Sequence, residues 1–270
     1  MRIQFIWCWK MWEVILQNLL KIEKSENIFL ETKTEVSKKN LQKKYWVNIW
    51  INKNAEIIFL LTKPQQFEKI NFEIFWENKI YFSFMAGVKV EKISKKTKST
   101  YLIRAMPNTP ILVWKWVIWY FVNNYSAEVL VAKSVTLQNL HYLDYFIKIF
   151  SKNSELIKCE TEDKIDKITA LSGSWPAYYY FITEILQQKA IEFWFSKTEA
   201  EIISNNTFIW ASKLLEKSSK DNLWIVSTLR KNITSKWWTT EKAINIFEEN
   251  GLWKKFIEWI DGAYERAKIL

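Results

Sequence analysis

The chain has 270 residues, 49% of them hydrophobic, enough for one large domain or two ordinary ones with a real core. No apolar run reaches the length of a membrane span, and Lys10 and Glu13 interrupt the start too early for a secretion signal; a cytoplasmic protein with no membrane partner is expected. The formal charge is +10, but the lysines are scattered, which reads as a solvated surface rather than a nucleic-acid stripe, and Cys8 and Cys159 supply neither a disulfide framework nor a metal cluster.

In chain order, residues 2–6 read as a first strand, 7–12 as a turn and 11–22 as an amphipathic helix. NIFLET (27–32) reads as a second strand, followed by a polar helix over 35–45. AEIIFLLT (55–62) is a continuous apolar run, as expected of a strand buried on both faces, and Lys63-Pro64 stops it. IYFSFMA (80–86) and YLIRAM (101–106) read as two more buried strands, with a shorter one near 113–121. His141, the sole histidine, sits in a helical stretch (LQNLHYLDYF) and is expected to be structural. After about residue 160 the character changes: 176–191, 197–218, 239–250 and 252–269 are helical in period. Alternating strands and helices predict an α/β fold, a Rossmann-type doubly wound parallel sheet with its ligand outside the strands' carboxyl ends. An all-α C-terminal domain follows, dividing the chain into 1–160 and 161–270.

Four glycines and 17 tryptophans are the anomaly. Average glycine usage of about 7% would give about 19 in a chain of this length, so the tryptophans fill the deficit almost one for one. They also stand where glycine is required. Trp7, Trp9 and Trp12 have the spacing of the dinucleotide fingerprint G-x-G-x-x-G, in which an indole at the second position would occupy the pyrophosphate's space. Trp46 ends a Lys-rich helix pattern where a left-handed residue is expected. Trp175 precedes Pro176 at a loop-to-helix entry, and Trp237-Trp238 opens a further helix. Some bacteria read the codon UGA as glycine, whereas another genetic code reads it as tryptophan; translation with the wrong table produces this pattern.

With Trp taken as Gly, the chain resembles pyrroline-5-carboxylate reductases over nearly its whole length. The matching stretches are the turn at 6–12, LLTKPQ (60–65), MAGV (85–88), RAMPNTP (104–110), DKITALSGSWPAYYYF (166–181), TLRKNITSKWWTT (228–240) and ENGLWKKFIEWIDGAYERAKIL (249–270). TALSGSGPAY followed by TSxGGTT is the specific part; the fingerprint alone is common. Lys236 stands where the family places a proline, and residues 218–227 match poorly. The resemblance implies a helical domain through which subunits interlock as dimers or larger homo-oligomers. It implies reduction of the cyclic imine 1-pyrroline-5-carboxylate to proline by hydride transfer from NADPH, with NADH as the other cofactor left open.

The resemblance also implies site residues. The cofactor's pyrophosphate is expected on the backbone of Ile6, Trp7, Cys8, Trp9, Lys10, Met11 and Trp12, at a helix N-terminus that favours anions. Cys8 fills a free position there. Glu31 stands near the place of a ribose-binding acid, but Thr32 and Lys33 follow it, and a lysine pairs with a 2′-phosphate, which favours NADP. Asn52 approaches the adenosine side. Leu61, Thr62, Lys63 and Pro64 flank the nicotinamide half, with Met85, Ala86 and Gly87 and with Met106, Pro107 and Asn108. Ser172, Gly173 and Ser174 form a wall for the substrate, whose carboxylate is captured by backbone N–H groups of Trp237, Trp238, Thr239 and Thr240. Thr240, with Thr239 as the fallback, supplies the hydroxyl near the ring nitrogen. Arg104 and Asp166 are expected in packing or salt-bridge roles and carry no assigned chemistry, and no metal is implied.

Two other readings stay open. One is another Rossmann dehydrogenase acting on a small hydroxy acid, but neither SGSWPAY nor SKWWTT supplies the lysine such enzymes use. The other is a catalytically dead, aromatic-rich binding protein with genuine tryptophans. That reading places indoles on exposed faces for stacking rather than at turns and caps.

Overall fold

The computed structural model describes residues 1–6, 12–32, 34–75, 79–108, 110, 116–123, 133–219 and 225–270. The chain forms two compact units: Met1–Ser174 with Ala263–Leu270, and Trp175–Gly262.

The first unit is built on a seven-stranded sheet: β1 (Ile3–Ile6), β2 (Ile28–Glu31), β3 (Ile57–Leu60), β4 (Ile80–Ser83), β5 (Tyr101–Pro107), β6 (Trp116–Val122) and β7 (Ser154–Lys158), in the order β2-β1-β3-β4-β5-β6-β7. β1 to β5 pair in parallel. All residues of β1, β3 and β4 are buried, which is why these strands read as unbroken apolar runs. The side chains divide by parity. Phe5, Phe59 and Phe82 face a core filled by Ile15, Leu16 and Leu19 of α1 (Trp12–Leu19) and by Phe146, Ile149 and Phe150 of α4 (Lys133–Phe150). Ile58, Leu60, Tyr81 and Leu102 face Phe67 and the residues Val90 and Ile93 of α3 (Val90–Thr97). Phe5 stacks on Phe59 at 4.7 Å between ring centroids, and Phe82 meets Phe146 edge-on at 5.3 Å. Helices thus cover both faces, as a doubly wound sheet requires.

The sheet departs from the sequence expectation at one edge. β6 runs antiparallel to β5, and β7, absent from the sequence reading, is parallel to β6. Residues 108–115 are too few for a parallel crossover, which takes about a dozen or more residues, so the chain reverses. The sheet is mostly parallel.

Between β2 and β3 lies α2 (Glu35–Tyr45), capped at its start by Thr34, whose Oγ1 accepts from the Ser37 N–H. It ends on Trp46, at φ 57° and ψ 31°, whose N–H closes on the Gln42 carbonyl at 2.8 Å. Trp46 is the expected left-handed cap, with its indole in solvent. Among the described residues four non-glycines have positive φ: Trp46, Lys98, Trp194 and Trp237. Eight indoles, those at 46, 50, 194, 210, 237, 238, 253 and 259, are exposed, whereas Trp12 is buried at the first position of α1.

The second unit holds α6 (Trp175–Glu192), α7 (Lys197–Ser218), α8 (Ile225–Asn232), α9 (Thr239–Glu249) and most of α10 (Leu252–Lys268); α8 was not expected from the sequence. α7 starts with a capping box in which Ser196 and Glu199 satisfy each other's backbone N–H. α6 and α7 touch through Tyr179 and Phe208, ring centroids 5.4 Å apart. Among the unit's described residues only Ala190, Ala200 and Ser204 are buried. Phe181, Ile185, Ile202, Leu214 and Phe247 all face outward. Such a unit has apolar helices but no core of its own.

The left-handed cap gives a direct stability test. A bulky L-residue in that region is disfavoured by about 1–2 kcal/mol, whereas glycine enters freely. Trp46→Gly should therefore raise the urea unfolding free energy by about 1 kcal/mol; a destabilised variant would contradict the steric account.

Candidate active site

The carboxyl ends of β3, β4 and β5 converge on one cleft in the first unit. After β3, Leu61 and Thr62 are buried, and Pro64 opens a short 3-10 helix (Pro64–Lys69) that turns the chain away. The Thr62 hydroxyl donates to the Lys63 carbonyl at 3.2 Å and contacts Met85 Sδ at 3.3 Å, tying the β3 end to the β4 end. Beyond β4, Phe84 still donates to the Leu60 carbonyl before the backbone swings through Ala86 and Gly87. Gly87 has φ +70°, and a Cβ there would stand 2.5 Å from Leu270 Cβ and 2.7 Å from the Ala267 carbonyl oxygen. This position can only be glycine.

The opposite wall comes from α5 (Asp163–Ile168) and the single π turn that extends it, Thr169–Gly173. A π turn widens the helix, and such bulges concentrate at functional sites. It is closed by the N–H and hydroxyl of Ser174, both donating to the Thr169 carbonyl, at 3.1 and 3.2 Å. Asn108, just past β5, donates from Nδ2 to Ser172 Oγ at 3.4 Å.

The cleft measures about 320 Å³. It brings together Thr62, Lys63 and Pro64 from the β3 end, Ala86 from the β4 end, Met106 and Pro107 from β5, and Gly173 and Ser174 from the π turn. These eight were singled out from four separate stretches of sequence. Leu61, Met85, Gly87, Asn108 and Ser172 adjoin them in the same segments without lining it. Gln65, Phe84 and Thr169 also line it and were not singled out. Gln65 and Thr169 lie inside matched stretches, LLTKPQ and DKITALSGS, so the signal was present; Phe84 carried none.

Beneath the cleft sits a charge cluster. Arg104 and Asp166 are fully buried and pair at 2.5 Å. Arg104 Nη1 also meets Glu162 at 2.8 Å, and Lys89 reaches the second Asp166 oxygen at 2.6 Å. Arg104 and Asp166 thus hold the salt-bridge role expected of them. Cys159 is buried against Met106 and Ile165, and burial pushes its thiol pKa up, so it stays protonated and unreactive.

Of the remaining sequence-derived residues, Trp7, Cys8, Trp9, Lys10, Met11 and Lys33 lie outside the described residues. Ile6 is the buried end of β1 and Trp12 starts α1. Thr32 is buried, donating to the Thr34 carbonyl at 3.2 Å, and Glu31 pairs with Lys38 at 3.2 Å. The Asn52 N–H is held by the buried Gln4 side chain at 2.8 Å. In the second unit, Thr239 and Thr240 open α9 behind Trp237 and Trp238. Trp237 has φ 69°, and its N–H donates to Glu241 Oε2 at 2.7 Å. His141 lies exposed on α4. Among the described residues no group of three His, Cys, Asp or Glu side chains is placed to hold a metal, and no helix is long and apolar enough to cross a membrane.

Comparison with known proteins places this architecture. Residues 162–270 match the family described as pyrroline-5-carboxylate reductase dimerisation. The pyrroline-5-carboxylate reductase of Staphylococcus epidermidis is 28% identical over 258 residues, covering 91% of this chain and 88% of that protein. The solved structure of a pyrroline-5-carboxylate reductase from Coxiella burnetii is 27% identical and superposes with a TM-score of 0.75 over 99% of this chain and 97% of that one. The NADP-bound pyrroline carboxylate reductase of Plasmodium falciparum, at 20% identity, shares the fold over 99% of this chain and 97% of that one, with a TM-score of 0.77. A Rossmann-type sheet with a helical C-terminal domain and a cleft at its strand ends makes the chain an oxidoreductase of the two-domain class. Within that class the chain is similar over most of its length to pyrroline-5-carboxylate reductases, and its residues 162–270 match their dimerisation domain.

Gly87 offers a test of the cleft's lip. Gly87→Ala should lower stability by about 2 kcal/mol or more, from positive φ together with overlap against the 263–270 segment. An unchanged melting temperature would show that the lip is not built as described.

Proposed function

We propose that this chain reduces 1-pyrroline-5-carboxylate to L-proline, with NADPH as the preferred hydride donor, and works as a homodimer or larger homo-oligomer. The observation that carries the reading is the cleft at the ends of β3, β4 and β5, in which residues from four family-like stretches meet. Its lining is largely apolar, with Lys63, Gln65 and the hydroxyls of Thr62, Thr169 and Ser174 as polar groups, a lining that suits a nicotinamide ring.

When bound, the nicotinamide supplies the hydride to the C=N carbon. The chain's own residues orient the two rings and exclude water. Thr62–Pro64, Ala86 and Met106–Asn108 hold the nicotinamide half, and Ser172–Ser174 wall the imine. The stretch 6–12, which leads into α1, takes the pyrophosphate on the resemblance, because a helix start favours an anion. Thr32 and Lys33 turn the preference towards the 2′-phosphate, and Asn52 serves the adenosine. The N–H groups of Thr239 and Thr240, at the start of α9, suit the substrate carboxylate on the same electrostatic ground, whereas those of Trp237 and Trp238 already donate to Glu241 Oε2 and the Ser235 carbonyl, and Thr240 presents a hydroxyl to the ring nitrogen. A cyclic imine is readily protonated, so no dedicated strong acid is required.

In the functional polypeptide, the tryptophans at left-handed and phosphate-facing positions are glycines. Trp46, Trp194 and Trp237 at positive φ support this reading, since a bulky L-residue rarely occupies that region. Oligomerisation is supported by the second unit itself. Its Phe181, Ile185, Ile202 and Phe247 face outward, and large apolar side chains left exposed together mark an interaction surface. The matched family's dimerisation label agrees with a second copy as the cover.

Calorimetry and turnover test the catalytic reading together. The chain with glycine at the tryptophan positions should bind NADPH and oxidise it when pyrroline-5-carboxylate is added, and the tryptophan form should bind no dinucleotide. A folded glycine form without turnover would refute the assignment, and NADPH binding by the tryptophan form would refute the steric part. Sedimentation tests the assembly: the parent should run as a dimer or larger, and Phe181→Glu with Ile185→Glu should shift it towards monomer. A stable monomeric parent would overturn that part.

A further inference from the structure

We propose that the charge quartet Arg104, Asp166, Glu162 and Lys89 is a positioning clamp that sets the π turn Thr169–Gly173 against the strand ends, and so fixes the width of the cleft. The proposal rests on the catalytic reading for its effect on turnover, but its geometry stands independently.

Each member of the quartet belongs to a segment that lines the cleft. Arg104 lies on β5 two residues before Met106. Asp166 lies on α5 three residues before Thr169, the first residue of the π turn. Lys89 precedes α3 directly after the Ala86–Val88 bend. Glu162 stands at the N-cap of α5, and its Oε1 accepts from both Arg104 Nη1 at 2.8 Å and the Val90 N–H at 2.7 Å. The two oxygens of Asp166 are divided in the same way, one to Arg104 at 2.5 Å and one to Lys89 at 2.6 Å. Two carboxylates thus join three chain segments, and each carboxylate bridges β5 to the start of α3. The Asn108–Ser172 contact between β5 and the π turn is longer, at 3.4 Å.

Stability does not explain the cluster. Burying Arg104 and Asp166 removes both charges from water, and an apolar pair of similar volume is often as stable or more so. Arg104 Nε has no hydrogen-bond partner, so the guanidinium is not fully satisfied. What the ionic arrangement adds over apolar packing is a fixed geometry, because charged hydrogen bonds at these distances tolerate little sliding. A π turn is the element that needs such fixing, since its wide backbone ladder is rare and easily lost to α-helix. Small displacements of reacting groups are costly: about 1 Å can cost about a hundredfold in rate.

The test uses the full active chain with Asp166→Asn and Lys89→Met. The Lys89 side chain is 40% exposed and Asp166 keeps its pairing with Arg104, so Lys89→Met is the milder of the two changes, and circular dichroism should show it folded. Both variants should show about tenfold faster amide exchange at 169–174 and a kcat lowered about tenfold or more, with the dinucleotide Kd within about twofold of the parent. Lys89→Arg, which keeps the cation, should restore kcat. Exchange at 169–174 and kcat both unchanged in Lys89→Met would overturn the clamp, as would a loss confined to dinucleotide affinity. If Asp166→Asn fails to fold, Lys89→Met decides alone. If the parent lacks imine reductase activity, the catalytic reading falls, while the exchange measurement still decides the clamp.

Discussion

Backbone that turns left-handed disfavours any Cβ, and backbone that must touch an anion with its own N–H groups leaves no room for a large side chain. That constraint governs this molecule at each level. Trp46 closes α2 at φ 57°, Trp194 stands in the link between α6 and α7 at φ 71°, and Trp237 precedes α9 at φ 69°. In each case the backbone takes the glycine geometry while the indole is thrown into solvent. At Gly87, where the sequence does supply glycine, the same geometry lets the 263–270 segment close over the bend after β4. The backbone therefore takes glycine geometry at three of the positions where the letters read tryptophan.

Much of the fold is legible in the sequence because burial on both faces writes itself as unbroken apolar runs. β1, β3 and β4 fall inside the runs read as strands at 2–6, 55–62 and 80–86, and β5 runs one residue past YLIRAM (101–106). The direction of β6 was written in the short connection 108–115, too few residues for a parallel crossover, a signal that strand composition alone does not carry. SELIK was missed because β7 is an edge strand with only two apolar residues, Leu156 and Ile157, and none of its residues is fully buried. α8 lies where the family resemblance is poor, and nothing local announced it.

The cleft was legible only through motifs. Periodicity places Thr62, Ala86, Met106 and Gly173 on four different elements, and only the resemblance joined them before the fold did. Phe84 escaped because an apolar residue at a strand end looks the same whether it faces core or cleft. The Arg104–Asp166 pair spans 62 residues of sequence, and charges that far apart cannot be matched from the letters. Its place beside the π turn is a property of the fold alone.

The second unit carries the complementary lesson. Apolar residues on nearly every side of α6 and α7, with only small residues buried, describe half of an interface rather than a free-standing core. The proposed catalysis thus depends on one premise, that the chain which works in the cell has bare backbone at its turns and anion sites. Peptide sequencing by mass spectrometry of residues 5–16, from protein made in its own organism, tests that premise most directly. Glycine at 7, 9 and 12 is the expected result; tryptophan at all three would contradict the account.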